Sequence, residues 1–183
     1  MLTYTLDKNK YKEAFLYIAN ALGKIEGMKK AYKLLYFLDF DYYEAYEKPF
    51  TGETYKSLQM GPVPVYFNGI IQELTKERKI EVLKKRMTPS HDHNTVIYKP
   101  LKKTSFLFSK QEKRMLDRII RLYGNQSGKD LEKLSHSEAP YNAVDLYQVI
   151  PYEYSFYRDT SNLTSFGNYC HRRINQEHRK IID

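Results

Sequence analysis

Apolar side chains recur every three or four residues in the first part of the chain, which predicts two amphipathic helices. The first helix is marked by Tyr11, Phe15, Ile18 and Leu22. Gly23 lies where that helix would end. In residues 29–46 the apolar stripe widens until it nearly encircles the predicted second helix. A helix that is apolar on all sides belongs in the centre of a fold, so Leu34, Leu35 and Leu38 are expected to be buried.

The middle of the chain alternates between turn residues and short apolar segments. Residues 54–60 are compatible with a short strand, and residues 61–64, Gly-Pro-Val-Pro, read as a rigid turn that opens a third helix. Residues 80–87 and 95–99 are rich in β-branched and aromatic side chains and flank a polar stretch. This pattern predicts a β-hairpin with a polar tip.

Two capping signatures place the remaining helices. Ser109 is followed three residues later by Glu112, and Ser127 by Asp130. They predict a fourth helix that ends at Gly124 and a shorter fifth helix that ends near residue 136. Residues 152–157 are aromatic and are compatible with either a strand or a helix.

These elements together predict a mostly helical α+β fold. We expect about five helices and a small antiparallel sheet that includes the hairpin, with a winged-helix-like order in the first half. Residues 1–150 are expected to form a single domain. Residues 151–183, first aromatic and then basic, are expected to form a C-terminal extension that packs on the domain or trails from it.

Charge and aromatic content point to a binding surface. Among the 183 residues, 18 are Tyr and 9 are Phe, which is more than the core of such a domain needs. The formal net charge of +8 is local, because residues 76–103 hold nine basic and three acidic side chains. Such an excess suits docking to phosphate or to an acidic protein, although a solvated charged face has the same composition.

Motifs for catalysis and for cofactors are absent from the sequence. It contains no glycine-rich phosphate loop, no Gly-x-Ser-x-Gly elbow and no His-Glu-x-x-His helix. His91 and His93 lie in the predicted hairpin tip, where polar residues are expected for any function. His171 and His178 lack a third ligand, and Cys170 is the single cysteine. We therefore expect no enzyme activity, no cofactor and no metal.

Location follows from the apolar stretches. The longest of them, residues 34–38, is too short for a membrane helix, and the N-terminus lacks the pattern of a secretory signal. We expect a cytoplasmic protein with no membrane contact.

Nucleic-acid binding is one interpretation of the basic hairpin. In a winged-helix arrangement, a wing could press five basic side chains against phosphates. These candidates are Lys84, Lys85, Arg86, Lys102 and Lys103. The helix that would enter the major groove offers only Asn68 and Gln72 for base contacts before Lys76. Any binding to DNA or RNA is therefore expected to be nonspecific.

Short motifs in a fixed order carry a family resemblance. The first half has Lys33-Leu-Leu-Tyr-Phe-Leu-Asp39, then residues 49–52, Pro-Phe-Thr-Gly, and residues 60–63, Met-Gly-Pro-Val, followed by Tyr66. Matching segments in the second half are residues 108–112, 123–124, 131, 134–136 and 138–141. Over residues 8–145 the chain resembles the Panacea domain, the SocA-like or GepA-like phage-associated family. It departs from that pattern at Ser57-Leu58 and at Tyr141, where the family commonly has tryptophan.

The resemblance implies an antitoxin that binds and neutralises a protein toxin encoded nearby. Its motifs supply the candidate toxin contacts, which are Gly61, Pro62, Val63, Tyr66, Phe67, His136, Pro140 and Tyr141. The same residues have structural explanations, because a helix starts near Pro62 and His136 lies at a helix end. A DNA-binding regulator is the alternative function. The sequence does not set the oligomeric state.

Overall fold

A computed structural model describes residues 4–88 and 91–158 of the chain, with backbone alone for residues 86–88 and 91–94. The helices are α1 (Lys8–Leu22), α2 (Met28–Tyr46), α3 (Phe67–Lys76), α4 (Lys110–Tyr123), α5 (Gly128–His136), α6 (Ala139–Asn142) and a 3₁₀ helix (Tyr152–Tyr157). The strands are β1 (Ile25–Glu26), β2 (Tyr55–Leu58), β3 (Gly61–Pro64), β4 (Ile80–Thr88) and β5 (His91–Pro100). The α+β class is confirmed, and the described residues hold more helices than the five predicted.

Helix α2 forms the centre of the fold. Leu34, Leu35 and Leu38 are at most 1% exposed, as predicted. Helices α4 and α5, strand β3 and the 3₁₀ helix all pack against α2. Both capping boxes form, with Ser109 and Glu112 at the start of α4 and Ser127 and Asp130 at the start of α5.

A three-stranded antiparallel sheet has the strand order β1-β5-β4. The basic hairpin is β4 and β5, and its register runs from Ile80 opposite Pro100 to Arg86 opposite Asn94. Strand β1 comes between α1 and α2 and pairs with β5, and the sequence did not predict it. The other elements of the first half follow the predicted order of two helices, a strand region, a helix and the hairpin. Tyr98 on β5 packs edge-on against Phe15 and Phe67, which joins the sheet to the core.

The Gly-Pro-Val-Pro segment was predicted to be a turn that opens α3, and this prediction is wrong. Residues 61–64 form β3, which pairs with β2 in the register Tyr55 opposite Pro64. Helix α3 begins three residues later, at Phe67. Proline is compatible with an edge strand because the amide that it lacks would lie on the outer edge, where no donor is needed. Strand β2 supplies the pairing on the inner edge of β3.

Residues 147–150 return to the two-stranded ribbon of β2 and β3. The Ser57 amide donates to the Gln148 carbonyl, and the Ile150 amide donates to the Tyr55 carbonyl, so residues 147–150 lie along the other edge of β2. Tyr152 is buried beside Tyr43 and Phe40 of α2. The division after residue 150 stays a prediction, and residues 159–183 lie outside the described residues.

Candidate functional site

Four residues from three elements converge where the motifs meet. Gly61 of β3 has a backbone φ of +86° and lies under the side chains of Lys33 of α2 and of Ser135 and His136 of α5. A β-carbon on residue 61 would lie 2.6 Å from Lys33 Nζ and 2.9 Å from Ser135 Oγ. Glycine is needed here both for the left-handed backbone and for the close approach of the amine.

Lys33 is buried, with 1% of its surface exposed. Its Nζ donates a 2.9 Å hydrogen bond to the Pro62 carbonyl. Burial lowers the pKa of Lys33 to about 7, because desolvation disfavours the ammonium form, and Glu132 opposes that shift only in part. Lys33 thus bonds to the edge of β3 and ties the first motif of the family pattern to the third, residues 60–63.

His136 and Tyr141 join the second half of the pattern to the ribbon. Their rings stack with centroids 4.6 Å apart, and the Tyr141 hydroxyl donates to the Leu58 carbonyl at 2.9 Å. Burial and the nearby Lys33 lower the pKa of His136. His136 Nε2 is buried and has no hydrogen-bond partner within the described residues. Pro140 is buried beside this stack.

Tyr66 is the most exposed member of the set, with 48% of its surface accessible. It is the N-cap of α3, and both carboxylate oxygens of Glu53 accept from its backbone amide at 3.1 to 3.2 Å. The next residue, Phe67, is 2% exposed and packs against Phe15 and Tyr98. Phe67 was predicted as a toxin contact, and the structure places its side chain in the core.

Apolar side chains at the two ends of β3 are open to solvent. Met60 is 50% exposed at the turn before β3, and Val65 is 46% exposed after it. We call the exposed side chains of Met60, Val65 and Tyr66 the motif surface. Val63 is half-buried, and Gly61 and Pro62 are buried. Of the predicted toxin contacts in this segment, Tyr66 is therefore exposed, whereas Gly61 and Pro62 are buried.

A buried polar network holds the start of β2 and the residues that precede it. Asp39 of α2 is fully buried and accepts from the Thr51 amide, the Thr51 hydroxyl and the Tyr55 hydroxyl at 2.6 to 2.8 Å. Burial raises the pKa of Asp39 to about 6 and that of Glu53 to about 7. The Tyr152 hydroxyl donates to the Glu53 carbonyl. The segment that leads to Tyr66 therefore has hydrogen bonds to α2, which precedes it in the sequence, and to the 3₁₀ helix, which follows it.

The basic side chains proposed for phosphate contact lie on another part of the molecule. Lys84 and Lys85 are exposed on β4, and Lys102 and Lys103 are exposed after β5. The side chain of Arg86 lies outside the described residues. Helix α3, the counterpart of a recognition helix, exposes Asn68 and Gln72 and carries Glu73. Glu73 pairs with Lys8 and Lys12 of α1.

Residues 4–88 and 91–158 contain neither a metal-binding cluster nor a membrane-spanning helix. No group of three or more His, Cys, Asp or Glu side chains is arranged to hold a metal ion there. None of the helices in this part of the chain is long and apolar enough to cross a membrane. The side chains of His91 and His93, and residues 170, 171 and 178, lie outside the described residues.

Comparison with known families decides the identity of these motifs. A family model described as antitoxin SocA-like, Panacea domain, matches residues 32–141. The chain belongs to this family. The matched range is narrower than the 8–145 expected from the motifs, and it includes Lys33, Gly61, Tyr66, His136 and Tyr141. Comparisons with curated proteins and with solved structures gave no significant match.

Membership in the antitoxin SocA-like family assigns the chain an antitoxin-type role. The matched residues 32–141 contain the motif surface and the buried contacts of Lys33 and Asp39 beneath it. Helix α1 and residues 142–158 lie outside the match, yet they supply Phe15 and Tyr152 to the core.

Proposed function

We propose that this protein neutralises a protein toxin by direct binding, and that Tyr66 is the central anchor of the interface. The family name supports the antitoxin role. The observation that favours Tyr66 is its combination of an exposed ring with a fixed backbone. Tyrosine is enriched at the centres of protein interfaces because it buries a large area with few rotatable bonds.

Glu53 prepares Tyr66 for binding. Its two carboxylate oxygens hold the Tyr66 amide, and Glu53 itself is 1% exposed. A side chain whose backbone is fixed before binding loses less entropy when a partner covers it. The exposed Met60 and Val65 flank this ring along the chain and extend the apolar area that a toxin could cover.

The other predicted contacts support this surface from beneath. Gly61 admits the Lys33 amine, which holds the Pro62 carbonyl and with it the edge of β3. Tyr141 is half-buried and bonds to the Leu58 carbonyl, so its ring combines a structural contact with partial exposure. Loss of Tyr141 is therefore expected to affect stability and toxin binding together.

The test is rescue of growth when the protein is expressed with the product of a neighbouring gene that is toxic alone. The Tyr66→Ala variant should bind the purified toxin about thirty-fold more weakly, which corresponds to about 2 kcal/mol. Its thermal midpoint should stay close to that of the unchanged protein. Tyr157→Ala is the matched control, because Tyr157 is 72% exposed and lies outside the matched range.

Three results would count against the proposal. Full rescue and unchanged affinity in Tyr66→Ala would place the interface elsewhere. An equal loss in Tyr66→Ala and Tyr157→Ala would show that the measurement is not specific to the motif surface. If the unchanged protein neither binds nor rescues against any neighbouring gene product, direct neutralisation is wrong.

A further inference from the structure

The edge strands of this protein differ in how easily another strand could pair with them. Strand β1 is two residues long, which leaves little edge to pair. Strand β3 contains Pro62 and Pro64, and Lys33 bonds to its Pro62 carbonyl. Short strands and prolines are common devices against unwanted strand pairing. Strand β4 is nine residues long, contains no proline, and pairs with β5 alone in the described part of the chain.

Backbone geometry shows which groups β4 presents at its free edge. The Gly27 amide donates to the Val96 carbonyl at 2.8 Å, so the backbone polar groups of Val96 face away from β4. Lys84 is the cross-strand partner of Val96 and therefore forms a pair that is not hydrogen-bonded. The amide and carbonyl of Lys84 point away from β5, and those of Val82 do so by the same alternation.

The Lys79 carbonyl confirms this alternation from the other end of the strand. It accepts from the amides of Leu101 and Lys102, so residue 79 faces the β5 side. Odd-numbered residues of β4 therefore pair with β5, and even-numbered residues face outward. No other described backbone group bonds to Val82 or Lys84.

Charge around this edge selects what can pair with it. Lys84, Lys85 and Lys99 are exposed on the hairpin, within the segment that carries nine basic and three acidic side chains. Leu83 is 40% exposed and lies opposite the buried Ile97, which gives the strand a small apolar contact. Two copies of β4 side by side would bring like charges together, whereas an acidic strand would pair favourably.

We propose that the free edge of β4 accepts an extended, acidic segment of a protein partner as an additional strand of the sheet. Backbone hydrogen bonds to Val82 and Lys84 hold the segment, and the lysines select acidic side chains, as in other cases of strand addition. This surface is separate from the motif surface, so the inference does not depend on how a toxin is bound. Outward-facing backbone groups beside an apolar side chain favour a peptide as the partner, because a peptide strand uses both. A nucleic acid binds through its phosphates and needs neither the backbone groups nor the apolar contact.

The probe is an eight-residue peptide that alternates Glu with Val or Thr, blocked at both ends, with affinity measured by fluorescence anisotropy. Two variants at one position separate charge from backbone. Lys84→Gln removes the charge and should weaken binding about threefold, as expected for an exposed ion pair. Lys84→Pro also removes the outward amide, so binding should weaken by a further factor of about ten. Proline is tolerated there because that amide faces solvent.

A second probe does not depend on the folding of a variant. The same peptide with alternate amides N-methylated on one edge cannot donate to β4 and should bind about tenfold more weakly. Equal affinity of the two peptides, or equal losses in Lys84→Gln and Lys84→Pro, would overturn strand addition. A lysine-for-glutamate peptide that binds equally well would overturn selection for acidic segments.

Two further outcomes would show that something other than an acidic peptide binds at the β4 edge. If a single-stranded oligonucleotide binds and both variants weaken it equally while the acidic peptide does not bind, the surface is a nucleic-acid site and the proposal is wrong. If the unchanged protein forms dimers that Lys84→Pro abolishes, the occupant of the edge is a second copy. Absence of peptide binding at millimolar concentration would also reject the proposal.

Discussion

The guanidinium of Arg158 donates a 2.7 Å hydrogen bond to Asp41, which joins the last described residue to the middle of α2. The same side chain pairs with Glu44 of α2 and with Glu138 beside α6 at 3.1 Å. All of these side chains are largely buried. Since the family match ends at residue 141, a residue beyond the matched range neutralises acidic groups within it.

Arg158→Met should lower the free energy of unfolding by about 3 to 5 kcal/mol, because it removes the cation that pairs with three buried carboxylates, although Asp41 keeps Arg118 at 3.8 Å. Burial already raises the pKa of Glu138 to about 7 despite Arg158. The loss should therefore shrink as the pH falls from 7 to 5 and that carboxyl group takes up a proton. Urea unfolding at the two pH values measures it. Arg121→Met, at an exposed position of α4, is the control, and equal stabilities of the two variants would contradict the prediction.

Gly61→Ala should destabilise the protein by about 2 to 4 kcal/mol. The added β-carbon meets Lys33 and Ser135 at less than 3 Å, on a backbone with φ of +86°. Gly69→Ala is the matched control, because position 69 of α3 is exposed and nothing lies within 4 Å of the new β-carbon, so any change should be no more than about 1 kcal/mol. Urea midpoints that fall equally in both variants would show that the close contact at Gly61 is not what matters.

Lys33 should make stability rise with pH above neutrality. Its pKa is about 7 in the folded protein and about 10.4 in an unfolded chain, so between these values the unfolded state binds more protons. From pH 7 to 9 the free energy of unfolding should increase by about 2 kcal/mol relative to Lys33→Met. The comparison cancels the titration of groups that do not interact with Lys33. Parallel pH profiles of the two proteins would contradict a buried neutral amine.

Glu53 should have the opposite effect to Lys33, because it should make the free energy of unfolding fall as the pH rises towards neutrality. Its folded pKa of about 7 lies above the ordinary value of about 4.3, so the folded state binds more protons between those values. Stability should therefore fall as the pH rises from 5 to 7, and Glu53→Gln should remove that part of the slope. The measurement is urea unfolding at half-unit pH intervals. Asp39, whose pKa is about 6, titrates in both proteins, and because its charge also raises the pKa of Glu53, the difference includes the coupling of the two carboxyl groups.

Periodicity and capping residues predicted helices α1 to α5 because both signals are local. The pattern of α2 reflects burial on nearly every side, and the two capping boxes use residues three apart. Strand β1 was missed because its two residues pair with β5, about seventy positions later. Strand β3 was misread because glycine and proline mark turns in sequence, whereas here β2 supplies the pairing.

The buried polar contacts of the site were missed for a related reason. Lys33 meets Gly61 and His136 only after three elements pack together, and no spacing in the sequence encodes that meeting. One signal was available. Charged side chains interrupt the apolar pattern of α2 at Lys33, Asp39, Asp41 and Glu44, and a charged residue at the centre of a fold requires a partner. The family resemblance pointed to these segments without giving their geometry.

The pairing of β2 with residues 147–150 has a consequence during synthesis of the protein. Because domains form as the chain emerges, β2 has its β3 partner early but must wait for some ninety further residues before its second edge is filled. Tyr152 reaches the Glu53 carbonyl at the same late stage. The support beneath Tyr66 is therefore complete only when the last described segment has been translated, so a nascent chain that stops after α6 lacks the finished surface.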